Sequence, residues 1–466
     1  MTSSASTTAT SGYVPGQKVL ISLSGPHGTD IIGSVLNCIA ASDCCIEDFM
    51  FSRLYHQVTF GVLVTLHPHD LGLYDTLVQA AEEWDAALGF EVFDDGRAAS
   101  NDEFALSIRS LRRHFIPQQF TSDATTKFPS RKVEANASNP VAVTRWIQEA
   151  PYADRVKHTA TVFNQSGLSV QFLDRWTRYL LDHRISVEKM VRLDREPQCS
   201  AIDYVLSVPI EQDIGHVSHE LQRLSAECAV DIAVQPYNVF RRNKRLVVFD
   251  MDSTLIQQEV IDELGRHTGI TEQIAAITEQ AMRGELDFKA SLKSRVRLLT
   301  GTPVDVIPAV QQRLVFTEGA HLLCRALKRL GFKLAVLSGG FTPFANYVKR
   351  ELGLDYAFAN TLQISPDGQT LTGETSGSIV DAERKAELLE VIAQAEGVTL
   401  DQVVAVGDGA NDLLMLDKAG LGIAFNAKPK VQEKAAARIN QKSLKYVLYL
   451  LGYNEDECMQ LMSDVA

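Results

Sequence analysis

Three short apolar runs divide the second half of the chain, at residues 245–249, 333–337 and 403–406. Each run is followed directly by glycine, serine or aspartate, which ends the apolar pattern sharply. Runs of this length with such boundaries are typical of buried parallel strands. Helical spacing of apolar residues separates them, over residues 257–330 and 382–395. The alternation predicts an α/β domain with an open, Rossmann-like parallel sheet.

The first half of the chain repeats a different pattern twice. The first copy, residues 17–95, predicts strands and helices at 18–23, 31–41, 46–54, 58–66, 71–87 and 90–93. The second copy, residues 155–240, predicts them at 156–163, 168–181, 186–193, 201–208, 215–228 and 230–234. The order in both copies is β-α-β-β-α-β, the ferredoxin-like arrangement.

The remaining segments complete the predicted domain organisation. Residues 1–16 predict a disordered tail, 96–154 a polar linker with one helix at 104–113, and 451–466 a C-terminal tail. The α/β domain covers 243–450, and its helical part at about 257–330 is long enough to form a cap. With 466 residues the chain has room for about three domains.

Composition narrows the class of protein. A formal charge of −13 argues against a nucleic-acid or anionic-membrane surface. No stretch approaches the ~20 apolar residues of a membrane span, and the N-terminus lacks the features of a secretory signal. The seven cysteines have no metal-ligand spacing, which favours reduced thiols and a cytoplasmic protein. The basic cluster at 241–245 is interpreted as a solvated linker.

The candidate chemistry lies where the apolar runs end. Asp250 and Asp252 follow the first run, Ser338 and Gly339 follow the second, and residues 407–412 follow the third. Open α/β sheets bind their ligands at the carboxyl ends of the strands. An aspartate can attack phosphorus, and a second carboxylate can carry the proton of the leaving oxygen. Each segment alone is more often a turn or a helix cap, but together they predict phosphoryl transfer.

These motifs resemble those of the haloacid-dehalogenase superfamily of aspartate-nucleophile phosphatases, and within it the phosphoserine phosphatases. The resemblance covers about residues 243–450 and rests on residues 250–254, Ser338, Lys385 and 407–412. It implies that Asp250 is the nucleophile and Asp252 the acid and base, and that Ser338 and Lys385 bind the phosphoryl group. It also implies Mg²⁺ held by Asp250, by the backbone carbonyl of Asp252 and by Asp408. The supporting residues that it implies are Asn411 and Asp412.

The resemblance extends to the predicted cap. Glu259 stands nine positions after Asp250, where phosphoserine phosphatases carry a glutamate, and Arg295 lies in a segment similar to their cap arginine region. The resemblance implies O-phosphoserine as the substrate, with Glu259 on its ammonium and Arg295 on its carboxylate. The other substrate-binding positions that it implies are Met282, Phe288, Ser338, Gly339 and Asn411.

The two β-α-β-β-α-β copies look like ACT domains, which commonly bind amino acids and pair between subunits. This resemblance implies regulation by L-serine and a homo-oligomer joined through these domains. The first turn of the first copy, residues 27–30, reads His-Gly-Thr-Asp in place of the usual Asp-Arg-Pro-Gly. A structural or dimerisation module without a ligand remains an alternative for both copies.

Two other functions remain open from the sequence. A related phosphatase acting on another small phosphomonoester would keep the core motifs but would not need Glu259 together with Arg295. A non-catalytic amino-acid sensor would use the ACT-like copies, with the α/β domain as a scaffold. The several unpaired charges of the core motifs speak against the sensor, because a scaffold gains nothing from them.

Overall fold

The computed structural model describes residues 17–26, 31–40, 42, 44–54, 57–66, 72–83, 86–93, 155–196 and 198–463. The predicted N-terminal tail, the turn at 27–30 and the linker 96–154 with its helix lie outside the described residues. The chain divides into two compact units, Met1–Ala153 with Ser169–Ser186 and Asp154–Leu168 with Val187–Ala466. Among the described helices, none combines the length and the apolar character needed to cross a membrane.

The first unit contains an antiparallel sheet in the order β4-β1-β3-β2. Its strands are β1 (Gln17–Pro26), β2 (Cys44–Leu54), β3 (Gln57–Leu66) and β4 (Ala87–Phe93), with helices Ile31–Ala40 and Gly72–Glu83. Val19, Ile21 and Leu23 of β1 are buried while Ser22 is exposed, the alternation of a sheet with one covered face. The predicted β-α-β-β-α-β order of this copy is confirmed.

The second copy also has the predicted order. It consists of β5 (Arg155–Phe163), helix Val170–Asp182, β6 (Ser186–Arg192), β7 (Ala201–Pro209), helix Ile214–Cys228 and β8 (Asp231–Pro236). Strand β5 pairs antiparallel with β7 and β8. Helix Val170–Asp182 belongs to the first compact unit, whereas β5, β7 and β8 belong to the second.

A seven-stranded sheet forms the centre of the second unit, in the order β12-β11-β10-β9-β13-β14-β15. The strands are β9 (Leu246–Phe249), β10 (Lys333–Phe341), β11 (Tyr356–Ile364), β12 (Leu371–Ser376), β13 (Val403–Gly407), β14 (Leu421–Phe425) and β15 (Ala437–Ile439). All pair in parallel except β11 with β12. Every residue of β9 and β13 is buried, which explains why both strands are uninterrupted apolar runs. The predicted α/β sheet is confirmed.

Eleven helices follow β8 along the described part of the chain. They are Val260–Thr268, Thr271–Met282, Phe288–Arg297, Val306–Gln311, Ala320–Arg329, Thr342–Leu352, Ala382–Ala395, Leu413–Lys418, Pro429–Gln432, Tyr446–Leu450 and Glu455–Met462. The first four form the cap between β9 and β10. The cap ends where Phe316 pairs with Ile256, earlier than the predicted residue 330. Helix Ala320–Arg329 contacts β10 and belongs to the core because its buried face packs on the sheet.

The basic cluster at 241–245 is not the solvated linker that the sequence indicated. Arg241 forms an ion pair with Asp203 of β7 at 2.7 Å and donates to the backbone carbonyl of Leu450. Lys244 is 4% exposed and donates to the carbonyl of Asp401 at 2.6 Å. A guanidinium offers five donors in a fixed fork, so one arginine can join β7 to the C-terminal helices.

The C-terminal segment also differs from the prediction of a tail from residue 451. It contains helix Glu455–Met462, which begins with a capping box formed by Asn454 and Glu457. Cys458 on this helix is 5% exposed and belongs to the same apolar core as β9. The sequence did not predict this helix because the segment is short and polar, and because the helix is stabilised by its cap and by tertiary packing.

Candidate active site

The three predicted strand ends meet at one edge of the seven-stranded sheet. Phe249, the last residue of β9, is in register with Val336 of β10 and with Val406 of β13. The backbone N–H of Asp250 donates to the carbonyl of Val406 at 2.8 Å, which continues the ladder one residue beyond β9. Ser338, two residues beyond Val336 in β10, and Asp408, directly after β13, therefore lie at the same edge of the sheet as Asp250.

Lys385 reaches this edge from the first turn of helix Ala382–Ala395. Its Nζ donates to Asp250 Oδ1 at 2.6 Å and to Asp412 Oδ1 at 2.7 Å, and the side chain is fully buried. Burial opposes its charge, but the carboxylates of Asp250 and Asp412 outweigh burial and raise the pKa of Lys385. The lysine therefore carries a fixed positive charge next to the predicted nucleophile.

Asp250, Asp408 and Asp412 form a carboxylate cluster whose ligand atoms lie within 4.8 Å of one another. Burial, followed by the charge of Asp412, raises the pKa of Asp250 well above its ordinary value, and the same two causes raise that of Asp408 to about 7. Three carboxylates and the single ammonium of Lys385 leave a formal charge of −2. Hard oxygen donors with excess negative charge fit a divalent cation such as Mg²⁺.

The cluster agrees with two of the three predicted metal ligands, Asp250 and Asp408. Asp412, predicted as a supporting residue, lies inside the cluster and also accepts from the N–H of Gly409 at 3.0 Å. The carboxylate of Asp252 is not a member of the cluster. The contribution predicted for the Asp252 backbone carbonyl stays a prediction.

Asp252 lies on the irregular turn Met251–Leu255, in which Ser253 adopts a left-handed φ of 56°. Asp252 Oδ1 accepts from the N–H of Val260 at 3.0 Å, and Oδ2 accepts from Ser338 Oγ at 3.3 Å. Burial and then the charge of Glu259 raise the pKa of Asp252 to about 8. The raised pKa favours the protonated form of Asp252, the form that a general acid requires.

The irregular end of β10, residues 338–340, packs tightly against Asp252. Ser338 is fully buried, and its Oγ accepts from the N–H of Gly340 at 2.8 Å. A Cβ atom on Gly340 would lie 2.7 Å from Asp252 Oδ2, so a side chain at this position would displace the acid. The sequence SGG, interpreted as a turn when taken alone, is required for this close approach.

The cap brings its predicted residues to the same place. Helix Phe288–Arg297 begins at Asp287, whose side chain accepts from the N–H of Ala290. Phe288 Cζ lies 3.0 Å from the position that a Cβ on Gly339 would take. Burial lowers the pKa of Arg295 while Glu259 and Asp262 oppose this, which places the guanidinium within the field of Glu259.

The remaining predicted positions have different outcomes. Ser253 Oγ donates to Glu259 Oε1 at 2.8 Å, which ties the predicted ammonium-binding residue to the turn that carries Asp252. Asn411 Nδ2 lies 3.9 Å from the position of a Cβ on Gly339. Met282 is the last residue of its helix, and its side chain lies outside the described part of the structure.

The sequence did not indicate Asn360, which connects two segments of the site. Asn360 of β11 donates to the carbonyl of Gly339 and accepts from the N–H of Val380, both at 2.8 Å. It thereby joins the irregular end of β10 to the segment before helix Ala382–Ala395. No local pattern distinguishes this asparagine, because its role depends on two partners that are distant in the sequence.

An ion pair connects the cap to the core. Lys289 of helix Phe288–Arg297 contacts Asp381 at 2.6 Å, and Asp381 caps the helix that carries Lys385. The sequence predicted the helix at 382–395 but indicated neither its cap, Asp381, nor the partner of that cap, Lys289. Because the lysine side chain is 59% exposed, solvent screens the pair and its contribution to stability is small.

Comparison with known proteins gives a consistent result. A family model for haloacid dehalogenase-like hydrolases matches residues 244–420, and a model for ACT domains matches residues 17–91. The phosphoserine phosphatase of Archaeoglobus fulgidus is 50% identical over 234 residues, covering 50% of this chain and 67% of that protein. A probable phosphoserine phosphatase of Schizosaccharomyces pombe is 52% identical over 242 residues, covering 52% of this chain and 81% of that protein.

A solved structure extends the similarity beyond the α/β domain. The crystal structure of a probable phosphoserine phosphatase from Vibrio cholerae, in its unliganded form, matches with a TM-score of 0.51 at 32% identity. The match covers 68% of this chain and 91% of that one. The sequence identities, the matched family models and the shared fold lead to one conclusion: this chain belongs to the phosphoserine phosphatase family of haloacid dehalogenase-like hydrolases.

Proposed function

We propose that the chain is a Mg²⁺-dependent phosphatase that hydrolyses O-phospho-L-serine to L-serine and phosphate through an aspartyl-phosphate intermediate. In the cell this reaction would be the last step of serine biosynthesis. The observation that carries the proposal is the position of Asp250, paired with the buried Lys385 and adjoining an acid with a raised pKa, Asp252.

Two carboxylates divide the chemistry of the proposed reaction. A carboxylate oxygen of Asp250 attacks phosphorus, and the bond between phosphorus and the serine oxygen breaks. Asp252, protonated at neutral pH, gives its proton to the departing serine oxygen. The resulting Asp252 carboxylate then takes a proton from water as the water attacks phosphorus. The bond between phosphorus and the Asp250 oxygen breaks, phosphate is released, and both aspartates return to their starting forms.

Positive charge is the second requirement of the reaction, because a dianionic ester must approach a carboxylate. Lys385 supplies one fixed charge at 2.6 Å from Asp250. Mg²⁺ held by Asp250 and Asp408 would supply two further charges and polarise the phosphoryl group. Ser338 Oγ lies beside Asp252, to which it donates at 3.3 Å, and on substrate binding it would donate to a phosphoryl oxygen instead.

The cap supports phosphoserine over other phosphate esters. Glu259 has the charge that an ammonium group requires, and Arg295 can grip a carboxylate through parallel hydrogen bonds. Both lie in the electrostatic environment of Asp252, which places opposite charges next to the proposed acid. A substrate with an ammonium and a carboxylate beside its ester oxygen matches this arrangement.

A substrate panel tests the proposal. We expect phosphate release from O-phosphoserine to exceed release from O-phosphothreonine and phosphoglycolate by at least about tenfold in kcat/KM, since each lost or added group costs about 1–3 kcal/mol. A chelator should abolish release, and added Mg²⁺ should restore it. Equal rates on all three esters would favour a phosphatase for another small phosphomonoester, and release from none would favour an amino-acid sensor.

We further propose that L-serine binds to the ACT domains, lowers turnover and acts within a homo-oligomer. The match of the ACT family model to residues 17–91 supports this regulation. L-serine is also the product, so competition at the active site must be separated from regulation. At saturating O-phosphoserine, competition disappears while regulation still lowers kcat, and D-serine provides a control. If L-serine changes neither kcat nor the sedimentation coefficient, the regulatory proposal is wrong.

A further inference from the structure

One hydroxyl on the cap has no hydrogen-bond partner among the described residues. Ser291 lies in helix Phe288–Arg297 with an exposed fraction of 1%, and its Oγ forms no hydrogen bond with any described residue. Serine hydroxyls inside helices commonly donate to the carbonyl four residues earlier, but that bond is missing here. The backbone N–H of Ser291 donates to the carbonyl of Asp287 at 2.9 Å.

The position of Ser291 on the helix relates this hydroxyl to the active site. Residues three and four apart share one face of a helix, so Ser291 lies on the stripe that contains Phe288 and Arg295. Phe288 reaches Gly339 at the irregular end of β10, and Arg295 lies in the field of Glu259 and Asp252. Leu292 and Val296 form the neighbouring stripe and belong to the apolar core.

Arg295 supplies an independent observation of the same kind. Its Nε is buried and also has no hydrogen-bond partner among the described residues. A buried donor without a partner is unfavourable, and native proteins rarely keep one unless water or a ligand completes it. Two such donors lie four residues apart on the stripe whose Phe288 contacts the end of β10. Together they could bind one hydrogen-bond acceptor that the described part of the chain does not provide.

We propose that Ser291 is a further specificity-determining residue, whose hydroxyl donates a hydrogen bond to the carboxylate of the bound substrate beside Arg295. The inference rests on the proposed function, because it takes O-phosphoserine as the substrate. A carboxylate has two acceptor oxygens and no donor, so it fits a hydroxyl and a guanidinium together. The ammonium group of the substrate is directed to Glu259, which offers only acceptors.

The test combines Ser291→Ala with removal of the carboxylate from the substrate. For O-phosphoserine, we expect KM to rise about tenfold, the loss of one hydrogen bond, with kcat within about twofold of wild type. For O-phosphoethanolamine, which lacks the carboxylate, KM should change by less than about twofold because the lost partner was never present. Ser294→Ala, on the same helix but partly exposed, is the matched control and should alter neither KM.

The outcomes separate this inference from the proposed function. If wild type hydrolyses O-phosphoserine but Ser291→Ala leaves KM unchanged and raises the melting temperature, the hydroxyl is only an unsatisfied core group and the inference is overturned. Equal losses on both substrates also overturn it, whereas an inactive wild type removes the proposed function and the inference together. Ser291→Cys keeps the approximate size of the side chain but replaces the hydroxyl with a weak S–H donor. It should therefore raise KM for O-phosphoserine as Ser291→Ala does, and it provides the test if the alanine variant does not fold.

Discussion

Asp250→Asn is expected to lower kcat for O-phosphoserine by roughly 10⁴-fold or more, the scale of loss when a covalent nucleophile is removed. Asparagine keeps the shape of the side chain but is a much weaker nucleophile than a carboxylate. The initial rate of phosphate release, measured with saturating Mg²⁺, reports the loss. Acid quenching of wild type during turnover should yield protein carrying one phosphoryl group, and the variant should yield none.

The same variant should keep its stability, which distinguishes lost chemistry from lost folding. Burial and the charges of Asp412 and Asp408 raise the pKa of Asp250 above its unfolded value. Ionised Asp250 therefore costs stability at neutral pH in the metal-free protein, although its ion pair with Lys385 offsets part of that cost. When the side chain at 250 is neutral, Asp412 remains as the buried counterion of Lys385. We expect a melting temperature in chelator that is equal to wild type or higher.

Asp417→Asn provides the matched control for Asp250→Asn. Asp417 is exposed on helix Leu413–Lys418, so the same chemical change there should affect neither activity nor melting temperature. Activity of Asp250→Asn within about tenfold of wild type would contradict covalent catalysis by this residue. A collapse of its melting temperature would show that Asp250 is needed for folding.

Asp252→Asn is expected to lower kcat by about 10²- to 10⁴-fold, the usual contribution of general acid catalysis. An amide cannot transfer a proton to the departing serine oxygen. The loss of kcat should depend on the leaving group. The aryl oxide of an aryl phosphate is a weak base, so it can depart without receiving a proton. Comparing the two substrates in wild type and variant isolates the step that needs the acid.

The pH profile provides a second measure of the same role. Asp252 must be protonated to act as the acid, and burial with the charge of Glu259 raises its pKa to about 8. The active form is therefore populated below pH 8 and lost above it, so kcat/KM of wild type should fall as pH rises through about 8. Asp252→Asn should lack this decrease.

Glu259→Gln is the informative comparison for the pH profile. Removing the charge of Glu259 removes the second cause of the raised pKa, so the decrease should move to lower pH. An unchanged profile in both variants would assign the decrease to another group. An equal loss with serine and aryl phosphates would exclude Asp252 as the acid for the leaving group.

The sequence predicted some elements of the fold and missed others. The strands β9, β10 and β13 were visible because fully buried parallel strands are continuous apolar runs. The hairpin of β11 and β12 was not predicted, since its polar edge residues resemble a loop. Helix Glu455–Met462 was hidden for a related reason, because its stability depends on packing against residues distant in the sequence.

The basic cluster at 241–245 shows the limit of charge patterns. A run of arginine and lysine is usually solvated, yet Arg241 and Lys244 are engaged with Asp203 and the Asp401 carbonyl. Local sequence contains no information about which carboxylates or carbonyls the fold will bring nearby. The pairing is decided only when β7 and the C-terminal helices meet.

The sequence by itself determined which residues are proposed as catalytic groups, because the proposed nucleophile, acid, lysine and metal ligands each follow a recognisable strand end or helix start. The tertiary structure alone decided their environment. It paired Lys385 with both Asp250 and Asp412, and raised the pKa of Asp252 to about 8. It also placed Ser291 without a partner beside Arg295. The reason is physical: residue type and strand position are local, whereas desolvation and electrostatic coupling depend on distances between segments far apart in the chain, such as Lys385 and Asp250, which are 135 residues apart.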